Sequence, residues 1–566
     1  MSSARLIFFG PSATLVASAI ISTKLLVPTD DSAWYHIDFR TSKPSVLAQS
    51  FLVSIVVSVA VIKLLQRQIA NNNNNNNVPG TKKEASIIVK PKSVRTLQIK
   101  FLTVFWLLRF AFWMAGPYFY AAFASKKIHG GQPMPVTTIS HISLTGYAAI
   151  AILGPWAGKI SQAYGKRIAS VVGMVCYGLG SLSITSNSLP ILYLGRICSG
   201  VGQSILSNAP ESWFIAEIKQ KDRDPNENFL GETFGLAYSL DSMVAIAAGQ
   251  LAQWAAASRG PTGPFTYSPW FLVLGAIVVL FSWTETAPMT ASQDETKKTR
   301  SSPSIQDTLR IIMGDPKIIC LGIVQSLFEA AMYIFVITWA PLMQQTIHAS
   351  IGNSETTPYG KIFSCFMAAC MLGSTFFTIL NKMIRLERVM VILLATASLA
   401  LASSLWTISN NSTPDAFFRL FFSFLAFEAC VGIYFPTIGT IRASILPDSH
   451  RSAIMTLFAV PLNALVVTCF LLLDKHGHNG CVMVAAGAVG VATMTMIWLD
   501  LQSRLDRQQQ AIGRFQKAAH KIKLINMVCI EFAARLGANG QVYVVDGKFS
   551  RREFRSSFAS LNAPMT

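Results

Sequence analysis

Charged residues are scarce in this chain, and that scarcity excludes an ordinary soluble protein. Only 13% of the 566 residues are Asp, Glu, Lys or Arg, whereas soluble domains carry about 25%. Hydrophobic residues make up 51% of the chain, and the mean hydropathy is +0.43. The composition therefore predicts an all-α polytopic membrane protein.

Catalytic and metal-binding motifs are missing as well. The chain contains no P-loop, HExxH, nucleophile-elbow or CxxC pattern, so nothing in it predicts an enzyme. Its nine cysteines show no framework spacing, and most of them lie inside apolar stretches. They are interpreted as small buried apolar residues, and neither disulfides nor a metal or other cofactor is expected.

The N-terminal region contains one clear span outside the main series. Residues 1–45 are interpreted as a targeting sequence or a weak first span, because a mostly apolar run follows Arg5. Residues 46–66 are long and apolar enough to form an extra transmembrane helix. Residues 67–97 include the run Asn71–Asn77 and are predicted to be a disordered basic linker.

Twelve further spans follow in two sets of six, which is the pattern of a two-repeat transporter. The first set occupies 98–286 and the second 317–500, with a hydrophilic central loop at 287–316 and a basic tail at 501–566. The individual spans are predicted at 98–124, 138–160, 168–187, 190–217, 230–257, 268–286, 317–343, 359–380, 388–408, 416–440, 452–473 and 480–500. The sequence thus predicts two six-helix bundles preceded by one extra helix.

The basic residues predict how the chain crosses the bilayer. The net charge of +19 comes from loops and tails that flank the spans, so it does not indicate a nucleic-acid-binding protein. Alternate loops are rich in Lys and Arg, and this basic side is cytoplasmic by the positive-inside rule. The central loop and the tail are therefore predicted to be cytoplasmic, and the N-terminus to lie outside. The first half of the tail has helical periodicity, typical of a helix on anionic lipid or of a solvated basic tail.

One predicted span, 190–217, carries charges that lipid does not tolerate. Arg196 lies near one end and Glu211 near the other, and a charge inside a membrane helix costs at least about 2.5 kcal/mol. Both side chains are therefore expected to face a polar cavity or a partner. Gly200 and Gly202 lie between them and allow a neighbouring helix to approach closely.

Several motifs resemble one transporter family. The Arg-x-x-x-Gly-x-Gly pattern of Arg196, Gly200 and Gly202 resembles the fourth-helix motif of the major facilitator superfamily. Stretches in chain order resemble the molybdate-anion transporter family of that superfamily: FWMAGPYFY (112–120), GRICSGVGQSILSNAPESWFIAE (195–217), DPKIICLGIVQSLFEAAMYIFVITWAPLM (315–343), YGKIFSCFMAACMLGSTFF (359–377), FEACVGIYFPTIGTIRASILPD (427–448) and FAVPLNAL (458–465). The resemblance implies a twelve-helix facilitator fold with one extra N-terminal helix, molybdate uptake by alternating access, and a coupling role for Arg196.

The chain departs from the family pattern at two places. The loop GPWAGKISQAYGKRI (154–168) resembles the superfamily's gating motif and keeps Gly165, Lys166 and Arg167, but Gln162 stands where that motif has Asp. The resemblance thus implies a weakened charge latch between this loop and a neighbouring helix. Animal members of the family carry an acidic residue where this chain has Phe112. This second departure places the coupling mechanism in question, though not the class of protein.

Molybdate is a tetrahedral dianion, so its site requires fixed positive charge and several hydrogen-bond donors. Arg109 is the clearly mid-span Arg of the first half and is predicted to face the cavity. The alternative is that Arg109 is a structural partner of Asp241 or Glu211. The predicted substrate-binding or coupling residues are Arg109, Asn208, Glu211, Asp241, Gln325, Glu329, Glu428, Tyr434 and Asn463.

The acidic residues in that set are interpreted as proton carriers or, alternatively, as structural hydrogen-bond partners. Gln325 and Glu329 share one helix face, as do Asn208 and Glu211. Tyr434 is predicted to shape the cavity or anchor at the lipid interface.

The sequence as a whole predicts a transporter that moves molybdate inward across the plasma membrane, with protons as the candidate coupling ion. An organelle membrane is the alternative location. Another anion or small solute fits the same residues, and uptake competition separates these cargoes. A non-transporting receptor or scaffold that signals through its basic tail belongs to a different class. It predicts that deletion of 501–566 abolishes function while Arg109→Ala is silent.

Overall fold

The computed structural model describes residues 43–76, 91–128, 132–220, 228–284, 305–352, 355–447 and 450–538, and these ranges are almost entirely helical. The helices of the first half are α1 (Pro44–Asn76), α2 (Lys92–Ala115), α3 (Phe119–Ala124), α4 (Val136–Tyr164), α5 (Lys166–Ser183), α6 (Leu189–Leu206), α7 (Ala209–Gln220), α8 (Asn228–Arg259) and α9 (Gly263–Ser282). Those of the second half are α10 (Ile305–Gly314), α11 (Pro316–Ser350), α12 (Tyr359–Met383), α13 (Leu386–Ser409), α14 (Ala416–Ile445) and α15 (Arg451–Ala538). Two short strands, β1 (Lys127–Ile128) and β2 (Gln132–Pro133), pair antiparallel after α3.

The chain divides into two compact units, Met1–Leu499 and Asp500–Thr566. The first unit contains α1 to α14 and the part of α15 before Asp500. The second unit is helical to Ala538, as the periodicity of the tail predicted, and within it Arg504 forms an ion pair with Asp500.

Ten stretches of the described residues are long and apolar enough to cross a membrane. The spans predicted at 138–160, 168–187 and 230–257 coincide with α4, α5 and α8, which are helical but are not among those ten. Buried helices that carry polar groups, such as Asp241 in α8, have a lower mean hydropathy than lipid-facing ones. The prediction of an all-helical, multi-pass membrane protein is confirmed.

Two helix breaks follow from single residues. Pro117 has no amide hydrogen to continue an α-helical ladder, and the chain forms a 3₁₀ turn at Gly116–Tyr118 between α2 and α3. Gly477 has φ 62° and ψ −173° inside α15, a conformation that glycine adopts without a steric penalty. It separates the two helical segments that were predicted as the last two core spans.

The extra N-terminal helix is longer than the sequence predicted. It continues to Asn76, through most of the Asn run, and α2 already begins at Lys92. Residues 67–76 and 92–97 are therefore helical rather than part of a disordered linker. An established helix adds each further residue at little cost, which explains the extension. Residues 1–42, 77–90 and 539–566 lie outside the described part of the chain, and so does most of the central loop.

Helix α1 packs on the second bundle. The Lys361 amine donates to the Ser45 hydroxyl at 2.8 Å near one end, and the Gln66 amide donates to the Thr378 hydroxyl at 2.8 Å near the other. Phe51 lies edge-on to Phe422 with ring centroids 4.9 Å apart. The order of these contacts along both helices shows that α1 runs parallel to α12.

The two bundles meet along α8 and α12. The Ser364 hydroxyl donates to the Ile246 carbonyl at 3.0 Å. A Cβ added at Gly360 would lie 2.3 Å from the Gly249 carbonyl oxygen, so the two backbones touch there. Both contacts lie toward the non-cytoplasmic ends that the loop charges predict, where the bundles are closed against each other.

Candidate functional site

A cavity of about 230 Å³ lies between the two bundles. Helices α2 to α6 of the first bundle and α11 and α15 of the second contribute to its wall. Drug-sized ligands occupy roughly 300–1,000 Å³, so this volume suits a small solute or ion. The cavity lies where alternating access requires a site, between the parts that move against each other.

Arg196 supplies a positive charge to this cavity. It lies about two turns into α6, and its guanidinium carbon is 4.9 Å from the centre of the Phe119 ring. A Cβ added at Gly146 of α4 would be 3.2 Å from the Arg196 Nε. That Nε is buried and has no hydrogen-bond partner among the described residues, and no ion pair of Arg196 occurs there either. An uncompensated guanidinium in a membrane protein is costly, which points to a partner that enters from outside the chain.

The remaining polar lining consists mainly of hydrogen-bond donors. Tyr120, Tyr147, Tyr177 and Gln203 line the cavity, and their side chains have no hydrogen-bond partner within the described ranges. Among the described side chains, no Asp or Glu is part of the lining. Ser140 donates to a carbonyl of its own helix, so it completes the wall without a free hydrogen. A positive charge, several donors and no carboxylate together form a site for an anion.

The glycines of the fourth-helix motif hold Arg196 in place. A Cβ added at Gly200 would lie 2.7 Å from the Ala149 Cβ, and one at Gly202 would lie 2.6 Å from the Tyr177 amide nitrogen. Helix α6 is thus pressed against α4 and α5, which carry Tyr147 and Tyr177. The predicted packing role of these glycines agrees with this geometry.

Arg109 does not carry a free charge. Its Nε and Nη2 donate to the two carboxylate oxygens of Asp241 at 2.8 and 2.5 Å. The Trp113 Nε1 donates to the same carboxylate at 2.9 Å, and the guanidinium lies over the Trp113 ring at 4.7 Å. The contact with Asp241 is the structural alternative that the sequence left open, and the cavity lining does not include Arg109.

The other predicted acid of the first bundle is also engaged. Glu211 at the start of α7 accepts a hydrogen bond from the Tyr238 hydroxyl at 2.5 Å. Asn208 is exposed, and its amide donates to the Ser204 carbonyl one turn earlier at 3.2 Å. Neither residue lines the cavity.

A second polar cluster lies inside the second bundle. The Tyr434 hydroxyl donates to Glu329 Oε1 at 3.2 Å, and the Tyr434 ring stacks on Phe328 at 4.2 Å. Arg442 donates to the Gln325 amide oxygen at 3.4 Å. The structure thus brings Gln325, Glu329 and Tyr434 together, as their placement on α11 and α14 allows.

Glu428 and Asn463 are isolated from both clusters. Glu428 is 6% exposed and makes no hydrogen bond or ion pair within the described part of the chain. It lies at a tight crossing of α12 and α14, where a Cβ added at Gly373 would be 2.0 Å from the Ala429 carbonyl oxygen. Asn463 is exposed, and its amide donates to the Ala459 carbonyl of its own helix at 2.7 Å.

The gating-motif residues connect helices within the first bundle. Gly165 has φ 89° between α4 and α5, a value that favours glycine. The Lys166 amine donates to the Ser212 carbonyl at 3.2 Å, and the Arg167 Nη2 donates to the Leu280 carbonyl at 2.5 Å. Their observed partners are carbonyl groups rather than carboxylates, and the side chain of Gln162 is outside the described ones.

Sequence reasoning missed most of the polar lining: Tyr120, Tyr147, Tyr177, Gln203 and His478 were not predicted as site residues. Tyrosines are common at lipid interfaces. Tyr147 and Tyr177 lie on other helices than Arg196, so no sequence spacing shows that they meet it. His478 follows Gly477 in the loop predicted between the spans 452–473 and 480–500, and that glycine is the one signal of a change of direction there.

A family model described as sugar transporters with twelve transmembrane segments matches residues 79–431. A molybdate-anion transporter from Takifugu rubripes is 30% identical over 437 residues, which cover 74% of this chain and 86% of that protein. A molybdate-anion transporter from Xenopus tropicalis is 27% identical, with 71% and 83% covered.

Solved structures agree on the fold. A D-xylose-proton symporter superposes with a TM-score of 0.55 at 12% identity, covering 70% of this chain and 96% of that one. A peptide transporter in complex with sulfate superposes with a TM-score of 0.56 at 15% identity, covering 74% and 95%. These identities establish the facilitator fold alone, and the predicted fold class is confirmed. The chain is a multi-pass membrane transporter rather than an enzyme, and it belongs to the molybdate-anion transporter family of the major facilitator superfamily.

Proposed function

We propose that this protein carries molybdate across the plasma membrane into the cytoplasm, by alternating access around the Arg196 cavity. The observation that supports this most strongly is the Arg196 guanidinium, unpaired among the described residues, in a cavity whose described lining holds donors and no carboxylate. Relatives named molybdate-anion transporter support the identity of the anion.

The charge of the cavity favours an anion over a sugar. A sugar is neutral and offers hydroxyls that both donate and accept, so its site does not require an uncompensated cation. A guanidinium gains far more from an oxyanion, to which it can donate two parallel hydrogen bonds. The hydroxyls of Tyr147 and Tyr177 can bind further oxygens of a tetrahedral ion.

The closed end of the structure supports a rocking mechanism. The α8–α12 contact at Gly249 and Gly360 joins the bundles on the predicted non-cytoplasmic side, and the Gln253 side chain accepts hydrogen bonds there from the Tyr118 hydroxyl at 2.8 Å and the Gly360 amide at 3.2 Å. Opening this side requires the 317–500 bundle to move away from the 98–286 bundle. That movement breaks these hydrogen bonds and the close backbone contact at Gly360.

Protons are the coupling ion that we propose. Moving a dianion inward against an inside-negative potential costs roughly 4.6 kcal/mol per 100 mV, twice the value for one charge. Protons that travel with the anion cancel this cost. Glu428, buried without an ion-pair partner among the described residues, is the candidate carrier in the second bundle, and Glu329 is the other.

Molybdate uptake in cells that lack their own transporter tests the proposal. The intact chain should show saturable uptake, and Arg196→Ala should reduce it at least tenfold, since a lost charge-assisted pair costs about 1.5–3 kcal/mol. Arg259→Ala is the matched control, because Arg259 is exposed at the end of α8 and outside the cavity. Sulfate serves as the competing oxyanion.

The amount of each variant at the cell surface is measured in parallel. Normal uptake by Arg196→Ala would overturn the proposed site. An intact chain at the cell surface that takes up no molybdate would overturn the proposed cargo while the fold stands.

A further inference from the structure

Besides Arg196, His478 is the lining side chain of the same cavity that can carry a positive charge. It is 8% exposed, and both ring nitrogens are buried without a hydrogen-bond partner among the described residues. Its ring lies edge-on to Tyr120 with centroids 6.1 Å apart. A buried imidazole with two unsatisfied nitrogens is unusual, because leaving such groups unpaired costs free energy.

A glycine with positive φ directs His478 into the cavity wall, a backbone conformation found at four glycines of the described residues. Gly477 takes a left-handed φ of 62°, and the helix restarts immediately after it. His476, two residues earlier, is exposed. The turn at Gly477 therefore directs one of the two neighbouring histidines into the cavity and leaves the other outside.

Arg196 and His478 come from the two different bundles that are proposed to move against each other. Arg196 belongs to α6 of the first bundle and His478 to α15 of the second, and both line one space. A neutral imidazole donates one hydrogen bond, whereas an imidazolium donates two and carries a positive charge. Two cations in one cavity repel each other unless an anion lies between them. A dianion supplies the two negative charges that this pair would match.

We propose that His478 is the second cation of the oxyanion site, so that a doubly charged oxyanion and one proton bind together. The inference rests on the proposed function and deepens it by assigning the residue that joins a proton to the bound dianion. The proton enters with the anion on His478 and leaves when the cavity opens to the other side. Because linkage is reciprocal, protonation of His478 tightens anion binding, and the bound anion favours protonation.

Among the groups that line the cavity, His478 is the one whose side chain ordinarily changes charge between pH 5 and 8, and a dianion bound beside it favours the charged form. Arg196 stays charged throughout the physiological range, and tyrosine hydroxyls stay neutral. From the second bundle, Phe470 adds apolar surface and Trp339 adds an indole, whose N–H is a neutral donor that does not titrate. The titratable groups that line the cavity beside His478 are Arg196 of α6, Tyr120 of α3, Tyr147 of α4 and Tyr177 of α5. On its own helix, the neighbouring Lys475 and His476 are exposed.

The pH dependence of anion binding by the purified full-length protein tests the inference. Tryptophan fluorescence is titrated with molybdate and, separately, with sulfate between pH 5.5 and 7.5. For the intact chain, the dissociation constant of the bound oxyanion should rise about tenfold over this range as a charge contact is lost. Four proteins are compared: the intact chain, His478→Gln, His478→Lys and the exposed-site control His476→Gln.

Each variant has a distinct expected result. His478→Gln should bind weakly at both pH values, with less than about a twofold change between them, and His476→Gln should behave like the intact chain. His478→Lys carries a charge at both pH values, so it should bind tightly without pH dependence. Recovery of binding by the Lys variant would be unexpected for a residue whose role is only to fill space, and it keeps the test valid if the Gln variant does not fold.

The outcomes separate the role of His478 from the proposed transport of molybdate. Oxyanion binding whose pH dependence persists in His478→Gln or in His478→Lys overturns the role of His478 and leaves the proposed function standing. His478-dependent binding of sulfate without binding of molybdate supports the dianion site and overturns the proposed cargo. Binding of neither ion by the intact chain overturns both.

Discussion

The ion pair of Arg109 and Asp241 allows a sharp test of which arginine serves the substrate. The two charged groups make two hydrogen bonds at 2.8 and 2.5 Å, and their side chains are 30% and 14% exposed. We predict that Arg109→Gln and Asp241→Asn each impair the protein, and that the double variant restores it. If the pair only holds α2 to α8, a neutral Gln–Asn pair can replace the Arg–Asp pair, because neither partner is then left as an unpaired charge.

The size of the effect follows from the burial of the pair. Removing one partner of a buried pair costs about 3–5 kcal/mol, because the other charge is left uncompensated. The partial exposure of Arg109 places this pair at or below the lower end, at roughly 2–3 kcal/mol. Replacing both partners removes the orphaned charge, so the double variant should lie within about 1 kcal/mol of the intact chain.

Thermal unfolding of the purified protein in detergent measures the predicted change in stability, and molybdate uptake in cells measures the predicted change in transport. Both single variants should unfold at lower temperature and give reduced uptake, and the double variant should recover both. A double variant that is as stable as the intact chain but transports nothing would refute the reasoning. Arg109 would then bind the substrate, as the sequence alone predicted.

Two further predictions concern the second bundle and the helix that carries Arg196. Glu428→Gln should keep the fold and the exchange of external for internal anion, but it should lose accumulation of the anion against a gradient. The reason is that a buried carboxyl without an ion-pair partner in the described chain can carry a proton. Unchanged accumulation would show that Glu428 does not carry the coupling proton. Gly200→Val should destabilise the α4–α6 contact by about 1–3 kcal/mol and lower surface expression, because a Cβ there would lie 2.7 Å from Ala149. Gly439→Ala, where an added Cβ has no neighbour within 4 Å, is the control, and equal expression of the two variants would contradict the packing role.

Membrane topology is the part of this protein that can be predicted from local sequence. A bilayer demands about 20 apolar residues per span and satisfied backbone groups within each segment. Each helix is therefore visible in its own stretch of chain, and the two sets of six spans and the extra helix were predicted from hydropathy alone. The extension of α1 into the Asn run was not predicted, because composition does not show that the preceding helix continues.

Residue pairing is the part that only the tertiary structure decided. Arg109 and Arg196 both lie in predicted spans and carry the same charge, and no local feature separates them. Asp241 is 132 residues from Arg109 in the chain, and it neutralises that arginine after the helices pack. Arg196 meets no carboxylate among the described residues, and His478 enters the cavity from the other bundle. The sequence by itself determined the multi-pass membrane class, because burial in lipid is a local property of each segment, and the ordered motifs and the two sets of six spans indicated a transporter. The assignment of the anion site depended on contacts between distant segments, which exist only in the folded chain.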